Sequence, residues 1–146
     1  MSDITFQDVA KYILEKTGEI SAMKLQKLMY YSQAWSLVWD EACLFDDDFE
    51  AWANGPVLRA LYNLHRGQFK VSSNIVNDGK VEKLTDEQAD TIDKVLEYFG
   101  DKTAQWLSDL THKEQPWIIA REGLEPMQAS SNVITKGSMD EYYSAL

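Results

Sequence analysis

The sequence predicts a mainly α-helical fold: one compact helical domain around a buried central helix, with a short β-hairpin or small sheet attached. Three observations carry this. The segment Ser21–Trp39 (SAMKLQKLMYYSQAWSLVW) sets Leu28, Met29, Tyr30, Tyr31, Ala34, Trp35, Leu37, Val38 and Trp39 on nearly every side of a helix, so neighbours must cover it all round. Two flanking segments, Phe6–Leu14 and Ala89–Phe99, repeat apolar residues three and four apart, as one-faced covering helices do. At 146 residues, 45% hydrophobic and 26% charged, the chain is long enough for one ordinary core without metal or disulfide staples.

Taken in order, Phe6, Val9, Ala10, Ile13 and Leu14 line one face of a first helix over 5–17, with Thr5 as N-cap and Gly18 as left-handed terminator. Ser21 caps the central helix, and Asp40 and Glu41 end its apolar pattern. Phe49, Ala51 and Ala53 alternate with Glu50 and Trp52, a short strand. Asn54, Gly55 and Pro56 then read as a turn, with Pro56 in the first turn of a helix carrying Val57, Leu58, Ala60, Leu61 and Leu64, stopped by Gly67. The stretch 69–82 has scattered Val and Ile around Asn77-Asp78-Gly79, a hairpin signal. Thr85 and Gln88 form a capping box for the helix bearing Ala89, Ile92, Val95, Leu96 and Phe99. Short helices follow after Thr103 and near Pro116, and Ser138 with Glu141 reads as the start of a terminal helix carrying Tyr142, Tyr143 and Leu146. No repeat or low-complexity linker divides these elements, so residues 1–146 read as a single domain.

Charge and composition narrow the function classes. Net charge is −10, and between Leu28 and Leu58 there is no Lys or Arg while Asp40, Glu41, Asp46, Asp47, Asp48 and Glu50 are all acidic. Such a field repels nucleic acid and anionic membranes and steers a basic protein toward it. The N-terminus MSDITFQD lacks the basic and apolar regions of a signal peptide, and Leu28–Trp39 is too short to span a bilayer. With Cys43 as the lone cysteine, a reducing, cytoplasmic setting is expected.

Chemistry has few footholds. Asp46, Asp48 and Glu50 alternate like oxygen ligands, but an EF-hand count from Asp46 puts Ala51 at the glycine position and Val57 at the bidentate glutamate position. His65 and His112 lack a neighbouring nucleophile, and no GxSxG, HExxH or phosphate-binding loop occurs. No catalytic residue, metal or cofactor is therefore assigned. A small metal-dependent hydrolase using His65 or His112 with carboxylates is carried as the alternative from another class. Partner binding is the leading class: the candidate contacts are Asp46, Asp47, Asp48, Glu50, Trp52, Asn54 and Trp117, the two tryptophans lying beside proline-containing turns. Lys24, Gln26 and Lys27 on the first turns of the central helix are also candidates, because lysines oppose the helix dipole there; pairing with carboxylates of the acidic loop is the expected compensation.

Four stretches in register, MKLQKLMYYSQAW, LFDDDFEAWANGPVLRALY, LTDEQADTIDKVLEYFGD and LSDLTHKEQPWIIAR, together resemble the Panacea domain, the SocA-like antitoxin family, with relatives labelled phage-associated protein. The likeness runs from about Val9 to Tyr143. Its motif positions here are Lys24, Leu25, Gln26, Lys27, Tyr31, Trp35, Phe45, Glu50, Trp52, Gly55, Pro56, Tyr62, Thr111, His112, Pro116, Trp117 and Arg121. The resemblance implies a helical antitoxin that neutralises a cognate toxin by direct protein–protein binding, with some members handing the toxin to a host protease as adaptors. It assigns no catalytic residue. A phage protein that binds a host factor is the further alternative. Some members carry an additional DNA-binding domain; no segment of this chain is left to supply one, so direct operon binding is not expected.

Overall fold

A computed structural model describes residues 2–146, and its centre is helix α2 (Ala22–Trp39). Twelve of its 18 residues are buried, and they include polar ones: Gln26, Lys27, Ser32, Gln33 and Ser36. All-round burial was predicted from the apolar residues; of the polar ones, Gln26, Lys27, Gln33 and Ser36 are held by backbone partners, while the Ser32 hydroxyl is buried with no hydrogen-bond partner among the described residues. Helices α1 (Phe6–Thr17), α4 (Asp86–Phe99), α5 (Ala104–Thr111) and α7 (Lys136–Ser144) all pack against α2. α3 (Arg59–His65) and α6 (Gln115–Ala120) are short connectors.

The capping signals act as expected. Thr5 and Asp8 close a capping box on α1, Gly18 ends it at φ 73°, and Thr85 with Gln88 does the same at the start of α4. Helix α2 stops where Glu41 takes a left-handed φ of 52°. Two side chains of α2, seven residues apart, then grip the backbone like short strands. Gln33 donates to the Phe45 carbonyl (2.8 Å) and accepts from the Leu44 N–H (2.7 Å), burying Leu44 and Phe45 under the acidic loop. Gln26 does likewise further up the helix.

Strands are few and antiparallel. β1 (Ile20–Ser21) pairs with β4 (Lys70–Val71), and β2 (Phe49–Trp52) lies between β3 (Gly55–Leu58) and β5 (Val133–Ile134). Three expectations are corrected. Pro56 does not open a helix: it lies in β3 opposite Ala51, and α3 begins only at Arg59. Its missing N–H is tolerated because β3 is the edge of its sheet. The stretch 69–82 is no hairpin: after β4 it forms two single turns of 3₁₀ helix, Ser73–Val76 and Val81–Lys83, tied to α1 where Asp8 accepts from the Lys80 N–H at 2.7 Å. The terminal helix is capped by Thr135, whose hydroxyl accepts from the Ser138 N–H, three residues earlier than Ser138 suggested. Among the described residues no helix is long and apolar enough to cross a membrane.

Candidate functional site

The first turns of α2 face β3 and build a buried polar frame beneath it. Gln26 accepts from the Leu58 N–H (2.8 Å) and donates to the Leu58 carbonyl (3.2 Å), completing the edge that β3 would otherwise expose. Because its oxygen is committed to an N–H, its amide nitrogen must also be the donor across 2.9 Å to His65 Nε2. That leaves His65 neutral with its Nε2 occupied, and burial lowers its pKa in the same direction.

Lys27 is wholly buried, and its ammonium reaches the Pro56 carbonyl at 3.4 Å. No carboxylate pairs with it among the described residues, and burial pulls its pKa down to about 7. Gly55 adopts φ 120° directly against it: a Cβ there would lie 2.6 Å from Lys27 Cε and 3.1 Å from Thr111 Oγ1. Only glycine admits this approach. The expected pairing of Lys24 and Lys27 with the acidic loop is therefore corrected. Lys24 instead donates to the Gly100 carbonyl at 2.6 Å, so the unfavourable dipole of its own helix is offset at the negative end of α4. Gln26 and Lys27, at 1% and 0% exposure, offer no surface to a partner.

Above this frame stands the β2–β3 hairpin, whose tip is Trp52 to Gly55. Its position is fixed from three sides. Ser108 donates to the Asn54 carbonyl at 2.6 Å, the Trp117 indole donates to the Trp52 carbonyl at 2.9 Å, and Arg121 donates to the Ala51 carbonyl at 2.8 Å. The other arm of the buried Arg121 guanidinium gathers the carbonyls of Glu125, Pro126 and Gln128, pinning the loop after α6 beside the hairpin. Trp117 stacks on His112 (centroids 4.1 Å, 20°), and Arg121 lies 5.2 Å from its ring. Burial lowers the His112 pKa, and its buried Nε2 has no hydrogen-bond partner among the described residues.

Between the hairpin, α3 and the pinned loop lies a cavity of about 740 Å³. Trp52, Asn54, Tyr62, His65, Met127 and Ser130 are among its walls. Trp52 and Tyr62 meet edge to face at 4.9 Å, and Arg59 stands over Trp52 while paired with Glu50 at 2.9 Å. That pair and the Trp52 indole hold the Glu50 carboxyl below its ordinary pKa. The wall is mainly apolar with a few fixed polar atoms. Its buried base, His65, is already engaged with Gln26, and Lys27, behind the wall, with the Pro56 carbonyl, so the arrangement suits recognition better than proton transfer.

The acidic loop lies at the opposite end of β2, roughly 10 Å of extended chain from the tip. It is less free than its sequence suggests. Asp48 pairs with Lys136 at 2.7 Å, Asp46 accepts from the Ser2 N–H at 3.1 Å, and Glu50 belongs to the Arg59 pair. Asp47 alone of the four makes no such contact among the described residues. The structure thus brings Trp52, Asn54 and Trp117 together and sets Asp46, Asp47 and Asp48 apart from them.

The model of one family, described as antitoxin SocA-like, Panacea domain, matches residues 25–118, more than half of the chain. The chain belongs to this family. Comparison with curated proteins and with solved structures finds no match. Placed on the structure, the Panacea motif residues are mostly the fasteners just described: Gln26 and Lys27 under β3, Gly55 and Pro56 against them, Thr111 and His112 behind, and Trp117 on the hairpin. Glu114 was not singled out in the sequence, and Tyr143 was read only as a residue of the terminal helix. Tyr31 (2.6 Å) and Tyr143 (2.7 Å) both donate to the Glu114 carboxylate, which is 6% exposed. No local pattern in the sequence marks Glu114 as buried.

Proposed function

We propose that this chain is an antitoxin that neutralises a cognate toxin by direct protein–protein binding, meeting it with the hairpin tip and the adjoining cavity. The family assignment over residues 25–118 carries the reading. The geometry supports it through a hairpin held by hydrogen bonds from Ser108 of α5 and from Trp117 and Arg121 at α6, so little conformational entropy is lost when a partner docks. A cavity of about 740 Å³ with Trp52 and Tyr62 in its wall accepts an apolar anchor from that partner. The acidic loop around Asp47, set apart from the tip, steers a basic toxin during approach. With net charge −10, nucleic acid and membranes are poor partners, and the reading places the chain in the cytoplasm.

The test is to express the adjacent small toxic reading frame with and without this chain. Growth restored together with a complex that co-elutes on size exclusion supports occlusion. Asn54→Arg and Ala129→Arg, exposed positions at the cavity mouth, should each weaken that complex at least tenfold while leaving the unfolding midpoint unchanged. Rescue without a complex, abolished in cells lacking an ATP-dependent protease, would replace occlusion by the adaptor role. A toxin complex indifferent to both substitutions would remove the tip from the interface.

A further inference from the structure

The other half of α2 borders a second cavity, of about 390 Å³, between α2, α4, the α5–α6 junction and α7. Its walls are aromatic. Trp35 and Trp39 stack at 5.0 Å, Tyr31 and Phe99 stack at 4.4 Å, and Tyr98 completes the rim, with Trp39 49% and Tyr98 67% exposed. Glu114 is the carboxylate among these walls. One of its oxygens, Oε1, accepts from both the Tyr31 and Tyr143 hydroxyls; Oε2 accepts no hydrogen bond among the described residues. No Lys or Arg pairs with Glu114 there, and burial raises its pKa against the two phenol hydrogen bonds, which lower it.

We propose that this cavity binds an organic cation, an alkylammonium or guanidinium head group, seated on the free Glu114 oxygen and enclosed by Trp35, Trp39 and Tyr98. Three features argue for it, none of which depends on the hairpin-tip contact. Aromatic faces carry negative potential and attract a cation within about 6 Å of the ring, more strongly where water is excluded. A buried carboxylate with an unused oxygen supplies the counter-charge and a charge-assisted acceptor, which a neutral guest cannot use. The rim already does this with the protein's own side chain: Lys94 Nζ lies 5.9 Å from the Trp39 ring while paired with Asp90 at 3.2 Å. Lys94 sits at the mouth among exposed groups and makes no ion pair with Glu114, leaving the carboxylate for a guest. The volume suits one head group with a short alkyl stem, whether a free amine or a basic side chain of another protein.

Titration of the purified chain, followed by Trp fluorescence and calorimetry, tests this with n-butylguanidinium, n-butylammonium and the neutral n-butanol. Saturable binding of a cation, at least tenfold tighter than butanol, is expected. Glu114→Gln, which keeps an acceptor for the two tyrosines, should weaken it at least tenfold. Trp39→Ala, at the exposed rim, should weaken it several-fold and keeps the test open should the Glu114 variant unfold. A blocked Gly-Arg-Gly peptide separates the sources: binding as tight as butylguanidinium points to a partner's side chain, and exclusion of the peptide points to a free amine. Butanol binding as tightly as the cations, cations failing to bind at millimolar concentration, or a folded Trp39→Ala with unchanged affinity would each overturn the proposal.

Discussion

The two halves of α2 handle buried charge in opposite ways. The first half buries an amine, Lys27, against backbone carbonyl and no carboxylate; the second borders a carboxylate, Glu114, against phenols and no amine. Lys27 is held under β3 and Glu114 between Tyr31 and Tyr143, and the two form no ion pair. A paired arrangement would have been self-sufficient. Keeping them apart fixes a hairpin with one and leaves a charged oxygen beside a cavity with the other.

The largest difference should appear when the backbone grip under β3 is removed. Gln26→Ala strands the Leu58 N–H and carbonyl and the His65 nitrogen together, and should cost about 3–5 kcal/mol in urea unfolding. Gly55→Ala comes next, at about 2–4 kcal/mol, since the new methyl meets Lys27 with the backbone at φ 120°. On the aromatic side Tyr143→Phe removes one of two donors to Glu114 and should cost about 2 kcal/mol, less because Tyr31 remains.

The pH dependence sharpens the contrast, because the two groups give slopes of opposite sign. Lys27 titrates near 7 when folded and near 10.5 when unfolded. Across that interval the unfolded chain binds the extra proton, so stability rises with pH. Lys27→Met should abolish this rise in the difference curve against the parent. Glu114 is raised when folded, so its contribution is full below the unfolded value of 4.5 and is lost as pH climbs through the folded value. Glu114→Gln should remove that fall on the acid side. Melting curves from pH 4 to 10 on the three chains check both, and one shared slope would dissolve the distinction.

Much of this was legible and some was not, for physical reasons. The N-cap at Thr5, the capping box at Thr85 and the all-round apolar surface of α2 are local signals, and they placed those helices to within a residue. Strand β3 was misread because Pro56 is equally suited to a helix start and to an edge strand, and the choice is made by Gln26, thirty-two residues away from Leu58. The roles of Lys24 and Lys27 depend on Gly100 and Pro56, which no local pattern connects to them. The acidic stretch was plain in the sequence, but its partners Lys136 and Arg59 were not, so its free charge looked larger than it is. Asp47→Lys should accordingly be the smallest change, within about 0.5 kcal/mol of the parent in stability.

Binding of the purified toxin by Asn54→Arg and Asp47→Lys, measured side by side at physiological salt, decides between the hairpin tip and the acidic loop as the toxin contact. Asn54→Arg, at the hairpin tip, should lose at least tenfold in affinity, and Asp47→Lys less than threefold, confined to the association rate. The reverse order would move the toxin to the acidic loop and contradict contact at the tip.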